Sequence, residues 1–316
     1  MLRYTLKRVP SAVVVVALAS LLVFFVLRLT PGDPAVLVAG PDAGPETIAA
    51  VRADLGLDRS LPEQYRTWVT GLVTGDLGTS YVLNSPISDL IGAGLGGTLQ
   101  LTLAATLLAL ALGGTAGIVP ATTRRRGVRA AVDGATSLAF AVPTYVSGVL
   151  LVLLCAVTFR LLPPGGRFKG AFWSAPDIAV QYLVMPALCL ALPAAAVIAR
   201  FLAASMRQVL DEDFIRTGVA KGVRPRRLTL RHVVPNALPP VLTVLGIQVG
   251  QMLGGAIVVE AIFAWPGIGQ LLLQGVLNRD YLLVQDLLLL AVVVSVLCQV
   301  LTDLAHAATD PRVRLA

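Results

Sequence analysis

The ionisable residues of this 316-residue chain are not grouped as catalytic residues usually are. The sequence contains no HExxH and no GxSxG motif, and no predicted membrane span holds a pair of carboxylates near its centre. The acids that fall inside predicted spans, Glu260 and Asp303, lie near span ends, and Asp133 and Asp286 lie at span boundaries. Proton- or sodium-driven carriers usually place ionisable groups at mid-membrane. The distribution therefore disfavours an enzyme and argues against a gradient-driven carrier.

Nucleotide and metal sites are also unsupported by the sequence. The chain has three lysines, namely Lys7, Lys169 and Lys221. None lies in a GxxxxGK[ST] motif, so an ATP-binding loop of this kind cannot form and another chain must supply any uphill work. Each cysteine lies inside an apolar run, which indicates a small buried side chain: Cys155, Cys189 and Cys298. The two histidines, His232 and His306, are far apart and have no ligand-like neighbours.

The composition predicts an all-α protein that crosses a membrane several times. Hydrophobic residues make up 56% of the chain, charged residues 14%, and the mean hydropathy is +0.80. The net charge of +7 is therefore not evidence for a nucleic-acid partner, because in a membrane protein the distribution of charge among the loops is what matters. Because basic residues concentrate in alternate short loops, both termini are expected in the cytoplasm. Six spans are predicted, at 9–29, 98–119, 132–162 (kinked at Pro143), 181–204, 238–263 and 282–305.

Two loops are predicted outside the membrane on the extracytoplasmic side. Segment 31–97 has eight acids and three bases. Two short helices are expected in it, one from Pro45 to a stop at Gly56 and one from a Ser60 capping box to a stop at Gly75. The second loop, 163–181, carries interfacial aromatic residues, Phe168, Phe172 and Trp173. The chain is predicted to divide into four parts. These are an N-terminal segment with the first span (1–30), an extracytoplasmic subdomain (31–97), a five-helix transmembrane core with a cytoplasmic loop at 205–237 (98–305), and a cytoplasmic tail (306–316).

A basic interval between the fourth and fifth spans has a distinct pattern. Seven basic residues lie between Arg207 and Arg231, which places the interval in the cytoplasm. A short helix over 211–221 is predicted to stop at Gly222. Its apolar face, Phe214, Ile215 and Gly218, fits either a solvated or lipid-lying helix, which the residues alone favour, or docking into a protein groove.

The fifth span carries a stripe of small residues. Gly246, Gly250 and Gly254 recur every four residues, with Gln248 and Gln251 between them. Small residues on one face allow helices to approach closely, or leave room for a path. Plain helix packing is the favoured reading, and a path-lining role is the alternative.

The basic interval resembles the coupling signature of ABC importer permeases. The similar stretches are 216–222, RTGVAKG, and 231–239, RHVVPNALP. The Glu-Ala-Ala of the general signature is replaced by Arg216, Thr217 and Gly218, which is similar to the Arg-Thr-Ala form of the peptide and nickel branch. Blocks similar to that branch span the chain: TPGDP at 30–34, LGLD at 55–58, GDLGTS at 75–80, EAIFAWPGIG at 260–269 and DPR at 310–312.

The resemblance implies a type I ABC importer permease fold with six transmembrane helices and an extracytoplasmic subdomain after the first. It implies no bound cofactor in this chain and ATP with magnesium on partner subunits. The implied partners are a second homologous permease, two cytoplasmic ATPases or one fused ATPase, an extracytoplasmic binding protein and the lipid bilayer. The implied location is the bacterial inner membrane. Dipeptides or oligopeptides are the implied substrates, nickel chelates or glutathione-like solutes are alternatives, and an ATP-independent secondary transporter is the alternative of another class.

Together, the residue patterns and the resemblance give candidate roles to three sets of residues. ATPase coupling is assigned to Asp213, Phe214, Ile215, Arg216, Thr217, Ala220, Lys221, Gly222 and Pro235. The translocation path is assigned to Gly246, Gln248, Gly250, Gln251 and Gly254. Docking of the binding protein is assigned to Phe168, Phe172 and Trp173.

Overall fold

The computed structural model describes residues 2–29, 32–40, 42–170 and 172–309. Residues 30 and 31 of the first block, the 310–312 block and residues 310–316 of the predicted tail lie outside this range. The described chain is almost entirely helical. Its helices are α1 Leu2–Leu29, α2 Pro34–Ala39, α3 Pro45–Asp54, α4 Leu61–Thr74, α5 Ile87–Thr122, α6 Arg126–Ala141, α7 Thr144–Leu151, α8 Pro176–Leu210, α9 Asp213–Ala220, α10 Pro225–Leu228, α11 Val234–Ile262, α12 Ile268–Leu277 and α13 Tyr281–Thr309.

Five helical segments of the described chain are long and apolar enough to cross a membrane. They are Pro10–Leu29, Ile87–Thr122, Pro176–Leu210, Pro225–Ile262 and Tyr281–Val300. The remaining predicted span, the third, is present as α6 and α7 together, followed by a π-helical segment, Val152–Thr158. The all-α multi-span prediction is confirmed, and one short antiparallel pair accompanies the helices, β1 Thr79–Ser80 with β2 Ser85–Pro86.

The predicted kink at Pro143 is a complete break. The two parts of the third span meet at 105°. Val142 and Pro143 both have extended backbone, with ψ of 123° and 142°. Proline has no N–H for the helical ladder and disfavours helical geometry in the residue before it. The position was therefore predictable, and the size of the bend was not.

The helix of the fifth span begins before residue 238, the predicted start of that span. Helical structure begins at Pro225 with α10, continues through a π-helical segment, Thr229–Val233, and runs into α11. Pro225 can open the helix because the first turn needs no N–H partner. The π-helical segment loosens the hydrogen-bond ladder just before Pro235, which tolerates the missing N–H there.

The described chain divides into two compact units, and the first comprises residues 2–4, 99–170, 172–265 and 298–309. Its buried core is centred on α8, which packs against α6, α7 and α11. Gly117 of α5 lies so close to α8 that a Cβ there would be 2.9 Å from the Ala199 carbonyl oxygen. Small residues thus allow close helix packing in this unit.

The second unit comprises residues 5–98 and 266–297. Its core joins Phe24 of α1, Trp68 of α4 and Leu289 of α13. The Phe24 and Trp68 rings stack with centroids 6.2 Å apart, and the Trp68 indole N–H donates to Asp286 Oδ1 at 2.7 Å. These contacts tie the segment after α1 to the start of α13, so segment 32–97 is a folded part of the unit and not a linker.

Both short helices predicted after the first span are confirmed. α3 begins at Pro45 and is followed by Gly56 with φ +63°, and α4 follows a Ser60–Glu63 capping box and ends before Gly75 with φ +83°. The Ser60 hydroxyl and N–H both donate to the Glu63 carboxylate, and these hydrogen bonds lower the pKa of Glu63.

Two helices of this unit were missed by the sequence reading. α2 follows Asp33, whose Oδ1 accepts a hydrogen bond from the Ala35 N–H at 3.0 Å, and α12 lies between the fifth and sixth spans. The Asp-Pro start of α2 is a signal that could have found it.

A buried carboxylate holds the turn before α13 to the β-pair. Asp280 is 1% exposed and accepts hydrogen bonds from the Ser80 hydroxyl at 2.5 Å, the Val82 N–H at 3.3 Å and the Leu283 N–H at 3.3 Å. Buried donors that lose their acceptor carry a desolvation cost. Asp280 therefore fixes the position of residues 80–82 relative to α13.

We expect Asp280→Ala to lower the free energy of unfolding by about 2–4 kcal/mol, because it leaves the buried Ser80 hydroxyl without a hydrogen-bond acceptor. Asp280→Asn keeps an acceptor oxygen of the same shape and should lose less. Thermal unfolding of the purified chain in detergent measures both. A melting temperature of Asp280→Ala equal to that of the wild type would contradict a structural role for the carboxylate.

Candidate functional site

The helix predicted over 211–221 is present as α9, Asp213–Ala220. It starts two residues later than predicted because Asp211 and Glu212 still donate their N–H groups to Gln208 and Val209 at the end of α8, each at 3.2 Å. A tight turn of Asp211 and Glu212 therefore links the fourth span directly to α9.

One apolar residue of α9 is inside the chain and two others are on its surface. Ile215 is 3% exposed and belongs to the buried cluster that contains Met206 and Leu228. Phe214 is 47% exposed and Val219 is 61% exposed. The interpretation of Phe214 and Ile215 as one outward face is therefore wrong. Ile215 anchors the helix to its own chain, and Phe214 and Val219 are its large exposed apolar residues.

The turn after α9 is the one predicted at Gly222. Gly222 has φ +74°, and a Cβ there would meet no atom within 4 Å. The Val223 N–H donates to the Gly218 carbonyl at 3.1 Å, which closes the turn. Glycine is needed for its backbone conformation and not for lack of space, since left-handed geometry is unfavourable for L side chains.

The remaining coupling residues lie on the surface. Apart from Ile215, all are exposed: Asp213, Phe214, Arg216, Thr217, Ala220, Lys221, Gly222 and Pro235. Arg216 Nη1 is 3.3 Å from Asp213 Oδ1, but both side chains are mostly in solvent, so this ion pair adds little stability. The sequence-based prediction did not include Val219. It could have been found as an apolar residue inside a polar interval.

The five residues assigned to a path do not share one surface. Gln248 is buried at 8% exposure, whereas Gln251 and Gly254 are exposed. Gly246 and Gly250 are half-buried, and a Cβ on Gly250 would lie 3.7 Å from Cys298 Cβ. The positions of Gln248 and Gly250 are therefore explained by helix packing. Gln251 and Gly254 lie on a surface that no other part of the described chain covers.

The aromatic residues of the 163–181 loop differ in exposure. Trp173 is 85% exposed and makes an edge-to-face contact with Phe172, with ring centroids 5.2 Å apart. Phe168 and Phe172 are half-buried. An aromatic side chain held by a neighbouring ring and projecting into solvent is a typical anchor for a protein partner.

The five apolar helical segments, the broken third span and the short exposed α9 define a multi-span membrane protein. The chain belongs to the family of binding-protein-dependent transport system inner membrane components, whose model matches residues 113–315. The N-terminal model of the same transport systems matches residues 1–102. It is thus a multi-pass inner-membrane permease of an ABC importer of the peptide family, and a transport subunit without an enzyme activity or cofactor of its own; ATP is hydrolysed by a separate ATPase.

Curated relatives match over nearly the whole chain. A probable peptide ABC transporter permease protein, y4tP of Sinorhizobium fredii, is 35% identical over 98% of this chain and 99% of its own length. The glutathione transport system permease protein GsiC of Escherichia coli O6:H1 is 39% identical over 99% of both.

Solved ABC transporters share the fold. An inward-facing structure of the MetNI methionine ABC transporter matches with a TM-score of 0.57 at 19% identity, covering 70% of this chain and 96% of that one. The crystal structure of an amino acid ABC transporter with histidines matches with a TM-score of 0.54 at 16% identity, covering 70% and 94%. The predicted type I importer permease fold is therefore confirmed.

Proposed function

We propose that this permease forms half of the translocation path for dipeptides and oligopeptides delivered by an external binding protein. The observation that carries the coupling role is α9, where Phe214 and Val219 are exposed while Ile215 is fixed in the chain's own core. An apolar surface on a rigid helix outside the membrane suits a protein groove better than free solvent. The peptide substrate is supported by the names of the relatives y4tP and GsiC.

The assembly has four further parts in this proposal. A second homologous permease completes the path, and the exposed surface at Gln251 and Gly254 faces it or the path. Two ATPase subunits, or one fused ATPase, bind ATP with magnesium and dock on α9. A binding protein docks on segment 31–97 and on the loop with Phe172 and Trp173.

The topology of the chain in this proposal places both termini and the 306–316 tail in the cytoplasm. The core, 98–305, carries the coupling loop at 205–237.

Closure of the ATPase pair on ATP moves the two coupling helices together in this proposal. Because Ile215 joins α9 to the core around α8, the attached spans move with it. The change between inward- and outward-open states is then a rigid-body motion biased by nucleotide.

The proposal is tested by uptake into proteoliposomes that contain the permease pair, its ATPases and its binding protein. We expect accumulation of radiolabelled dialanine that requires internal ATP and the binding protein. Uptake by the permease alone, without ATP, would contradict the proposal and favour a secondary transporter. Omitting the binding protein is the matched control.

Glutathione is the second candidate substrate, favoured by the 39% identity to GsiC. Labelled glutathione in the same assay decides between the two. Efficient ATP-dependent uptake of glutathione with none of dialanine would replace the peptide assignment. A nickel chelate is less favoured because no group of three potential metal ligands occurs in the part of the chain that the structure describes.

Removal of the Trp173 side chain should weaken docking of the binding protein. We expect Trp173→Ala to reduce binding-protein-dependent uptake roughly 10-fold or more, since exposed aromatic anchors dominate interface energies. Leu161→Ala is a control, because Leu161 is a 69% exposed apolar residue ahead of the same loop. Unchanged binding-protein affinity of Trp173→Ala would remove this loop from the docking surface.

A further inference from the structure

The second unit contains a cavity that no function discussed so far uses. It has a volume of about 400 Å³ and lies among the end of α1, the segment after α3, α4 and the start of α13. This is room for a small organic molecule and more than one or two structural waters need. Its polar and aromatic lining includes Arg28, Gln64, Trp68, Tyr81, Tyr281 and Gln285.

Arg28 brings a positive charge to this cavity without a carboxylate to neutralise it. Its Nε and Nη2 donate to Gln64 Oε1 at 3.1 Å each, and its Nη1 donates to Gln285 Oε1 at 3.2 Å. Both acceptors are neutral amides, and no ion pair of Arg28 occurs among the described residues. A guanidinium has about five N–H donors, so about two remain for a ligand.

The two amides hold this guanidinium in a fixed position. Gln64 is itself fixed, because its Nε2 donates to the Arg59 carbonyl at 2.9 Å and to the Leu57 carbonyl at 3.3 Å. Arg28 also lies over the Phe24 ring, 4.3 Å from its centroid. An arginine that is already ordered loses little side-chain entropy when it binds an anion.

Two tyrosines add hydroxyl groups to the same cavity. Tyr281 is only 8% exposed, and its buried hydroxyl has no hydrogen-bond partner within the described ranges. A buried hydroxyl without a partner is costly and calls for a ligand or water. Burial, and secondarily the Asp280 carboxylate, raise the pKa of Tyr81 to about 12, so its hydroxyl stays a donor at neutral pH.

Four acids lie near the cavity, and none of them forms an ion pair with Arg28. Asp54 and Asp76 line its rim but are exposed, so solvent and salt screen them. Asp280 and Asp286 are buried and do not line the cavity; their charges act on the Tyr81 hydroxyl, so Arg28 provides the main attraction for an anion. Arg28 is half-buried, and its attraction for an anion is screened less than the repulsion from the rim.

We propose that this cavity is a binding site for a small organic carboxylate. The carboxylate oxygens accept hydrogen bonds from Arg28 and from the tyrosine hydroxyls, and the hydrocarbon part packs against Trp68 and Leu282. A single arginine with an apolar wall suits a monoanion better than phosphate, whose second charge would face the acidic rim. The proposal concerns this unit alone and does not depend on which substrate the permease imports.

The test is direct binding to the full chain in lipid nanodiscs, with ¹⁴C-labelled N-acetyl-L-alanine as the probe. We expect saturable binding in which the unlabelled compound competes. N-acetyl-L-alaninamide, which has the same shape without the charge, should not compete, and neither should inorganic phosphate at the same concentration. Absence of saturable binding, or equal competition by the amide or by phosphate, would overturn the proposal.

Substitutions then locate the site. Arg28→Gln should weaken binding roughly 10- to 100-fold, and Tyr281→Phe about 3- to 10-fold, as expected for the loss of charged and neutral hydrogen bonds. Arg66→Gln removes an exposed arginine on the same helix as Gln64 and should bind as the wild type does. Tyr281→Phe decides the matter if Arg28→Gln fails to fold. Wild-type affinity in Tyr281→Phe, or an equal loss in Arg66→Gln, would refute the assignment.

Discussion

Gly222→Val is expected to abolish coupled uptake while the permease still inserts and assembles. Gly222 has φ +74°, a conformation that costs an ordinary L residue about 1–2 kcal/mol and a β-branched residue more. Since nothing lies within 4 Å of the added Cβ, the turn can relax only by changing its backbone, which redirects α9 relative to α10. Uptake should fall at least about 10-fold relative to ATP hydrolysis. The measurement is the ratio of dialanine transported to ATP hydrolysed in proteoliposomes.

Gly222→Asn is the matched control for this result. Asparagine tolerates the left-handed conformation and should retain most of the coupling. Gly134→Val adds the same side chain inside α6, where a Cβ also meets nothing within 4 Å, and should leave the ratio unchanged. A normal ratio in Gly222→Val would show that the turn does not transmit the ATPase motion.

Phe214→Ala is expected to detach the ATPase from an otherwise intact permease. Phe214 is the one large aromatic residue on α9 and is 47% exposed in the chain. Aromatic anchors at interfaces contribute about 2–4 kcal/mol, so affinity for the ATPase should fall roughly 30- to 1000-fold. Copurification of the ATPase with the permease, followed by titration of the two components, measures the loss. The melting temperature of the isolated permease should not change.

Ile215→Ala separates docking from folding. Ile215 is buried in the chain's own core, so its truncation should lower stability by about 2–5 kcal/mol. Val219→Ala, which truncates the other exposed apolar residue, should weaken ATPase binding less than Phe214→Ala. If Phe214→Ala binds the ATPase as the wild type does and only Ile215→Ala loses it, then Ile215 and not Phe214 is the docking residue.

The helix ends that depend on local chemistry were predictable from the sequence. The Ser60–Glu63 capping box begins a helix, and the glycines at positions 56, 75 and 222 each follow the end of one. Such signals act through neighbouring backbone groups and need no information about the rest of the fold. They gave the ends of α3 and α4 and the turn after α9.

The buried face of α9 was not predictable in the same way. Phe214 and Ile215 are consecutive, so their side chains lie about 100° apart around the helix, and the local pattern does not say which one meets the core. That choice depends on Leu228 and Met206, which are brought to Ile215 by tertiary packing. The 105° bend between α6 and α7 and the early start of the fifth span at Pro225 likewise depend on packing around α8 and α11.

The continuous helical segment Pro225–Ile262 sets a length scale for the motion of this subunit. Its 38 residues correspond to about 57 Å along the axis at 1.5 Å per residue. A rigid rod of that length that tilts by about 10° around its centre displaces each end by roughly 5 Å, in opposite directions. One end lies three residues beyond Gly222, so under the proposed coupling a small rotation at α9 would move the two ends of this helix by several ångströms in opposite directions.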